Sequence, residues 1–285
     1  MMEKQRFGEL FKRAWARGRE WRLSGFLVLD SLLALVAAIP LGAALVGLAL
    51  WIDWPEKGAS HTGREMLAFF GELLTLLAAG LAAWLIYMWV VQMLAIGLKR
   101  ETLYPATNIG RGLRSGFGRW LTVLYPLPLS VAVGILTGAR EVLGHFMPLL
   151  MLAAGGGLWL LQIAVSVYMD FLYSGIAAGS PRIGFAELYR RAFTAFKNGW
   201  GRWLLWALCI CGLAAASFLT AIPAVVAVVI GVARNHEQLL TGGIVALALW
   251  AVVMIAVWIR ANVVSSAFFM YLYIDASGAP PELDE

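Results

Sequence analysis

Six long apolar runs, at 23–51, 66–98, 120–138, 146–179, 203–231 and 243–274, constrain this chain of 285 residues more than any other feature. A hydrocarbon core of roughly 30 Å takes about 20 helical residues to cross, so each run has about the length needed or more. In lipid the backbone amides have no water to bond, and runs of this kind must close their hydrogen bonds internally as helices. The pattern predicts an all-α, polytopic membrane protein with six transmembrane helices in a single membrane domain, 1–285. With 61% apolar and 14% charged residues, the composition excludes a soluble fold, which needs roughly 25% charged residues. The longest runs are expected to tilt, kink or extend past the bilayer, with Pro40, Pro126, Pro128 and Pro223 as kink points. The loops between runs leave no room for a separate catalytic domain. The first run is too long and too deep in the chain for a signal core and is expected to stay in the mature protein.

Orientation follows from the cations. Seven basic residues precede the first run, five follow the second and five follow the fourth, whereas the opposite loops hold Lys57, Arg64, Arg140 and Arg234. Both termini are therefore expected in the cytoplasm, N-in and C-in. The formal charge of +5 points to anionic lipid headgroups, with no nucleic acid expected as partner. Cys209 and Cys211 lie two apart in one run and point away from each other, so neither a disulfide nor a thiolate metal site is expected.

A repeat underlies this layout. Glu9-Leu10-Phe11-Lys12-Arg13-Ala14-Trp15 recurs as Glu187-Leu188-Tyr189-Arg190-Arg191-Ala192-Phe193. A degraded middle copy shows in Phe117-Gly118-Arg119-Trp120, which matches Trp200-Gly201-Arg202-Trp203, with Glu20-Trp21-Arg22 at the equivalent place in the first. The chain reads as three tandem units, 1–104, 105–182 and 183–276, each a basic amphipathic interfacial helix followed by a transmembrane hairpin; 277–285 is an acidic tail. Each unit crosses the membrane an even number of times, so the repeats share one orientation about a pseudo-threefold axis. That differs from the inverted repeats common among secondary transporters.

Helical spacing makes the amphipathic reading physical. Phe7, Leu10, Phe11, Ala14 and Trp15 line one face in the first unit, and Phe185, Leu188, Tyr189, Ala192, Phe193 and Phe196 line another in the third. The middle stripe, Ile109, Leu113, Phe117 and Trp120, is interrupted by glycines and makes a poorer helix. The expected setting is the interface, with aromatic rings among acyl chains and Lys12, Arg13, Arg111, Arg114, Arg190 and Arg191 at the headgroups. Two roles stay open for these helices: an elbow that sets the angle of the next span, or a lipid-sensing or partner-docking surface.

Ionisable residues inside spans are costly and mark functional candidates. Asp30 and Glu72 lie toward the ends of their runs and are expected to reach the headgroups; Asp170 and Arg260 lie deeper. Gln162, Ser166, Asp170 and Tyr173 recur at i, i+4, i+8 and i+11, a polar stripe either buried between helices or lining a wet pathway. Asp170 and Arg260 come within about one turn in depth, so an intramembrane ion pair is expected between them, either as a clamp or as part of a site. Asn262, Ser265 and Ser266 are placed to hydrogen-bond across helices. Gly155-Gly156-Gly157 suits close packing or a hinge. The three histidines, His61, His145 and His236, fall one in each outer loop. Convergence about a common axis would suit zinc, but the irregular spacing favours ordinary loop residues, and no metal or cofactor is expected. The chain carries no HExxH, no GxxxxGK[ST] and no serine, histidine and acid order, so no catalytic set is assigned.

Three units of amphipathic helix plus hairpin, closing on Phe268-Phe269-Met270-Tyr271-Leu272-Tyr273-Ile274-Asp275, resemble the membrane domain that accompanies some bacterial glycerophosphodiester phosphodiesterases, and the related YciC-like membrane proteins. The phosphodiesterase barrel is missing, and Ala276, Ser277 and Gly278 stand where that family usually has basic residues. The resemblance implies a multi-pass protein of the bacterial inner membrane with a lipid-related role and no hydrolysis. The expected function is a non-enzymatic scaffold, or partner of another membrane protein or of a second copy, that engages anionic lipid. The alternative is a transporter or channel for a small or amphiphilic substrate, using the stripe through Asp170.

Overall fold

The computed structural model describes residues 6–52, 63–103, 118–146, 148–179 and 183–278. Among them every element is helical: α1 (Phe7–Gly18), α2 (Trp21–Trp51), α3 (Gly63–Leu103), a 3-10 turn (Thr122–Leu124), α4 (Leu127–Phe146), α5 (Pro148–Ala178), α6 (Phe185–Asn198), α7 (Trp200–Ala233) and α8 (Glu237–Ser277). Six of these segments are long and apolar enough to cross a membrane, in agreement with the six runs. Consecutive spans pack as hairpins, α2 with α3, α4 with α5 and α7 with α8.

At 41 residues, α8 is about 60 Å long, roughly twice what the hydrocarbon core requires. It is also the central element, touching α1, α2, α3, α5, α6 and α7. Its two halves differ. Val252, Val253 and Ile255 are exposed, as lipid-facing residues should be, whereas most positions from Val263 to Ala276 are buried. The other helices follow the same division. Phe26 of α2, Ile96 of α3, Phe171 and Ile176 of α5 and Leu272 of α8 are fully buried, while Leu35, Leu74, Leu77 and Leu219 stand on the surface. The core therefore gathers at one end of the bundle, where α2 and α7 begin and α3, α5 and α8 end.

That end is where α1 and α6 belong, and their setting revises the sequence reading. Leu10 and Ala14 of α1, and Leu188, Ala192 and Ala195 of α6, are fully buried against the spans. Phe7 meets Phe268 edge-on at 5.6 Å, Phe11 lies 6.0 Å from Trp206, and Phe196 meets Phe171 at 6.1 Å. The apolar stripes thus cover protein and not acyl chains. The physical reason is span length: helices this long carry apolar surface past the hydrocarbon, and the two short helices remove it from water. Only flanking rings such as Trp15 and Phe193 remain exposed.

Pro40 and Pro223 lie inside α2 and α7 as expected. Pro126 and Pro128 do not kink a continuous helix: the run from 120 breaks into the 3-10 turn, and Pro128 sits in the first turn of α4, where its missing N–H costs nothing. The α7–α8 connection is short. Asn235 takes a left-handed conformation (φ 49°) that asparagine tolerates better than most residues, and the His236 ring nitrogen Nδ1 accepts from Leu239 N at 3.3 Å, capping α8. At the far end Gly278 (φ 65°) terminates α8.

Candidate functional site

The polar stripe of α5 opens onto a groove between α5, α7 and α8, with Arg140 of α4 at its edge and a volume of about 370 Å³. Gln162, Ser166 and Asp170 supply polar groups to one wall at one-turn intervals, while Trp206, Ile210 and Phe269 make the opposite wall largely apolar. Gln162 is held in place: its amide donates to Thr137 Oγ1 at 3.1 Å and accepts from Arg140 Nη1 at 3.3 Å. Trp206 Nε1 donates to Ser265 Oγ at 3.0 Å across α7 and α8, so Ser265 makes the interhelical bond expected of it. Asn262 instead donates to Trp258 O of its own helix. Cys211 lines the groove, and both cysteines are free and exposed.

The expected pair between Asp170 and Arg260 does not form. Asp170 Oδ1 lies 3.0 Å from Lys99 Nζ of α3, a lysine that is buried and also stands 5.6 Å from the Phe269 ring centre. Arg260 belongs to another face of α8, where Nη1 donates to Gly18 O at 2.7 Å and the guanidinium lies over the Trp21 ring at 4.8 Å. Equal depth brought Asp170 and Arg260 together on paper, but rotation about the helix axis separates them. Tyr173, the last residue of the stripe, turns away from the groove toward Ser130 of α4, which also receives the Gln92 amide at 2.7 Å.

Asp30 corrects a second expectation. It does not reach the headgroups but is buried, with neither carboxylate oxygen hydrogen-bonded among the described residues. Asp30 follows Leu23 and Phe26 at i+7 and i+4, so it shares the face that α2 turns into the bundle. Glu72 of α3 is half-buried, and its Oε2 likewise lacks a partner there.

At the core-bearing end, several polar side chains engage helix ends. The last carbonyls of a helix have no intrahelical donor and carry negative partial charge. Arg17 Nε donates to Thr102 O at 3.0 Å at the end of α3; Arg119 Nε and Nη2 donate to Ile176 O and Gly179 O at 3.0 and 3.1 Å at the end of α5; Asn198 donates to Ala276 O at the end of α8. Arg100 adds a bond to Ala177 O at 2.9 Å. Arg22 pairs with Glu101 at 3.0 Å, and Arg202 pairs with Asp275. In each hairpin, therefore, an arginine at or just before the start of the first helix holds the end of the second.

Of the residues read as headgroup ligands, Lys12, Arg13 and Arg190 are exposed and Arg191 is half-buried. Arg190 and Arg191 both bond Glu187 on their own helix, and these bonds hold the Glu187 carboxyl below its ordinary value. Arg111 and Arg114 lie outside the described residues, as do the middle amphipathic stripe up to Phe117, and His61. His145 is exposed in the last turn of α4, and His236 is the cap of α8. Among the described residues no group of three His, Cys, Asp or Glu stands close enough to hold a metal.

Sequence reasoning missed Lys99, Arg119 and Gln92. Lys99 and Arg119 were counted as inner-loop cations, and the signal that would have singled them out is their position within a turn or two of a helix end, next to carbonyls in need of donors.

The fold and groove define a multi-pass helical membrane protein with an amphipathic lateral cleft. No family model matches the chain, and no curated protein or solved structure matches it.

Proposed function

We propose that this is a bacterial inner-membrane protein, built of three tandem units with both termini in the cytoplasm, that engages anionic lipid. It acts without catalysis of its own as a scaffold, or as partner of another membrane protein, in a lipid- or envelope-related process. The observation that carries the reading is the surface of the core-bearing end. Arg6, Lys12, Arg13, Arg19, Arg190 and Lys197 are exposed there, beside the exposed rings of Trp15, Trp21, Trp120, Phe193 and Trp200. Tryptophan prefers the headgroup level and cations the anionic leaflet, so the combination fits a collar at the cytoplasmic interface. The tandem reading draws support from the three arginines, Arg22, Arg119 and Arg202, that each bind the far end of their own hairpin. The resemblance to the phosphodiesterase-associated membrane domain points the same way. Native mass spectrometry of the full chain, exchanged into nanodiscs of phosphatidylglycerol and phosphatidylcholine, tests it. The protein is expected to retain phosphatidylglycerol in excess, and K12Q/R13Q/R190Q/R191Q to retain less; equal retention of both lipids by the unmodified chain overturns the reading.

A second reading, passage of an amphiphilic substrate along the groove, is favoured by Gln162, Ser166 and Asp170 sharing one open wall. Cys211, which lines the groove from α7, discriminates. In a C209S background, modification by a charged, membrane-impermeant thiol reagent supports a wet pathway. Reaction with an apolar reagent alone supports a lipid-filled groove.

A further inference from the structure

Arg260 interrupts the most apolar stretch of α8, and its placement shows what such a residue can serve. An arginine offers five N–H donors in a flat fork. Among the described residues one hydrogen bond is made, from Nη1 to Gly18 O, and one face of the guanidinium rests on Trp21. The rest of the fork borders a cleft of about 410 Å³ lined by Trp15, Gly18, Arg19, Trp21, Arg260 and Val264. Arg19 is exposed beside it, while the neighbouring Glu20 is engaged by Arg17. Among the described residues the cleft is thus lined by two arginines and by no acidic residue. The carbonyl end of α1 at Gly18 is already met by Arg260.

We infer that this cleft binds the phosphate of an anionic phospholipid, with Arg19 and Arg260 as its cationic ligands. A planar guanidinium fork matches phosphate oxygens, and two forks facing one pocket supply the bidentate geometry that a single surface lysine lacks. The rim argues for a lipid as the source. Trp21 is 80% exposed and Trp15 51%, the aromatic edge expected at headgroup depth. Beyond the cleft, α8 presents Leu249, Val252, Val253 and Ile255, and α2 presents Leu32 and Leu35, all exposed. These make an apolar lane along which acyl chains extend from a seated headgroup. The inference rests on the lipid-engaging reading above and narrows it to one bound molecule and two named ligands.

The test compares the full chain with R19Q/R260Q, and with R19Q and R260K singly, in nanodiscs containing phosphatidylglycerol diluted in phosphatidylcholine, counting retained lipids by native mass spectrometry. The double variant is expected to lose one tightly held phosphatidylglycerol, with roughly thirtyfold weaker retention, as removal of two cations near an anionic group implies. K12Q/R13Q/R190Q/R191Q keeps that molecule. Should R19Q/R260Q fail to fold, R19Q and R260K are expected to weaken retention with Trp fluorescence unchanged, and wild-type retention in both overturns the site. Excess phosphatidylglycerol on the unmodified chain, undiminished in R19Q/R260Q, overturns the site and leaves the general reading standing. No excess on the unmodified chain overturns both. Displacement of the retained lipid by millimolar inorganic phosphate overturns the lipid assignment in favour of a free anion.

Discussion

Replacing Asp170 by Asn separates the structural from the transport role of the stripe, because the structure gives its partner. At 3.0 Å two unit charges attract by about 5 kcal/mol in a medium of effective dielectric near 20. Asp170 is 39% exposed to the groove while Lys99 is buried, so screening on the open side brings the interaction to about half that figure. The variant also strands the Lys99 ammonium in an apolar setting beside Phe269, and breaking one side of a buried pair costs roughly 3–5 kcal/mol. Taking the lower bound, D170N is expected to lose about 3 kcal/mol, a fall of several degrees in Tm for a chain of this size. K99M/D170L removes both charges and should recover most of the loss, since an apolar pair of similar volume is often neutral or better. Thermal unfolding of all three proteins in one detergent, followed by tryptophan fluorescence, measures this. A D170N protein that melts with the wild type, or a double variant less stable than D170N, refutes the clamp. Lost flux across liposomes at unchanged Tm would assign the carboxylate to a pathway.

Three further outcomes follow from particular contacts. Asp30→Leu places an apolar side chain of larger volume where a buried carboxylate lacks hydrogen bonds, and it is expected to raise Tm; a fall of several degrees would show that the carboxylate is needed. Gly243→Ala puts a Cβ 2.8 Å from Val228 Cγ2 and 2.9 Å from Val228 N, where backbone must move, so the α7–α8 hairpin should lose about 1–3 kcal/mol, read as a lower unfolding midpoint. Glu187 has its carboxyl held below the ordinary 4.5 by Arg191 and Arg190, so its contribution is present above about pH 4.5 and fades as pH falls through the lowered folded value. The stability advantage of wild type over E187Q should therefore shrink between pH 6 and pH 3; a constant difference would contradict this.

The spans were legible because hydrocarbon thickness imposes length and composition, and nothing in the tertiary structure can override that requirement. The amphipathic faces of α1 and α6 were equally plain from the spacing of Leu10, Ala14, Leu188 and Ala192. What those faces cover was not, since a lipid tail and the side of a long span are equally apolar, and periodicity cannot tell them apart. The same limit explains Asp170. Its depth could be counted along the run, but the partner depends on helix rotation and on which neighbour stands opposite. Lys99, near the C-terminal end of α3, satisfies both conditions, and Arg260 meets only the first. Gln162 and Ser166 were placed on a shared face by spacing alone, and that face proved to be the groove wall, whereas Tyr173, three residues past Asp170, had rotated toward Ser130.

The arginines that hold the hairpins also set a timetable for assembly. Arg119 bonds Ile176 O, 57 residues further along the chain, and Arg202 bonds Asp275, 73 residues further along. These bonds form only once the returning helix is complete. One residue thus ties the two ends of a hairpin together when its second helix is finished. Substituting these arginines should consequently show first as misinserted or degraded chains during synthesis, and only afterwards as a lower melting temperature in whatever protein survives.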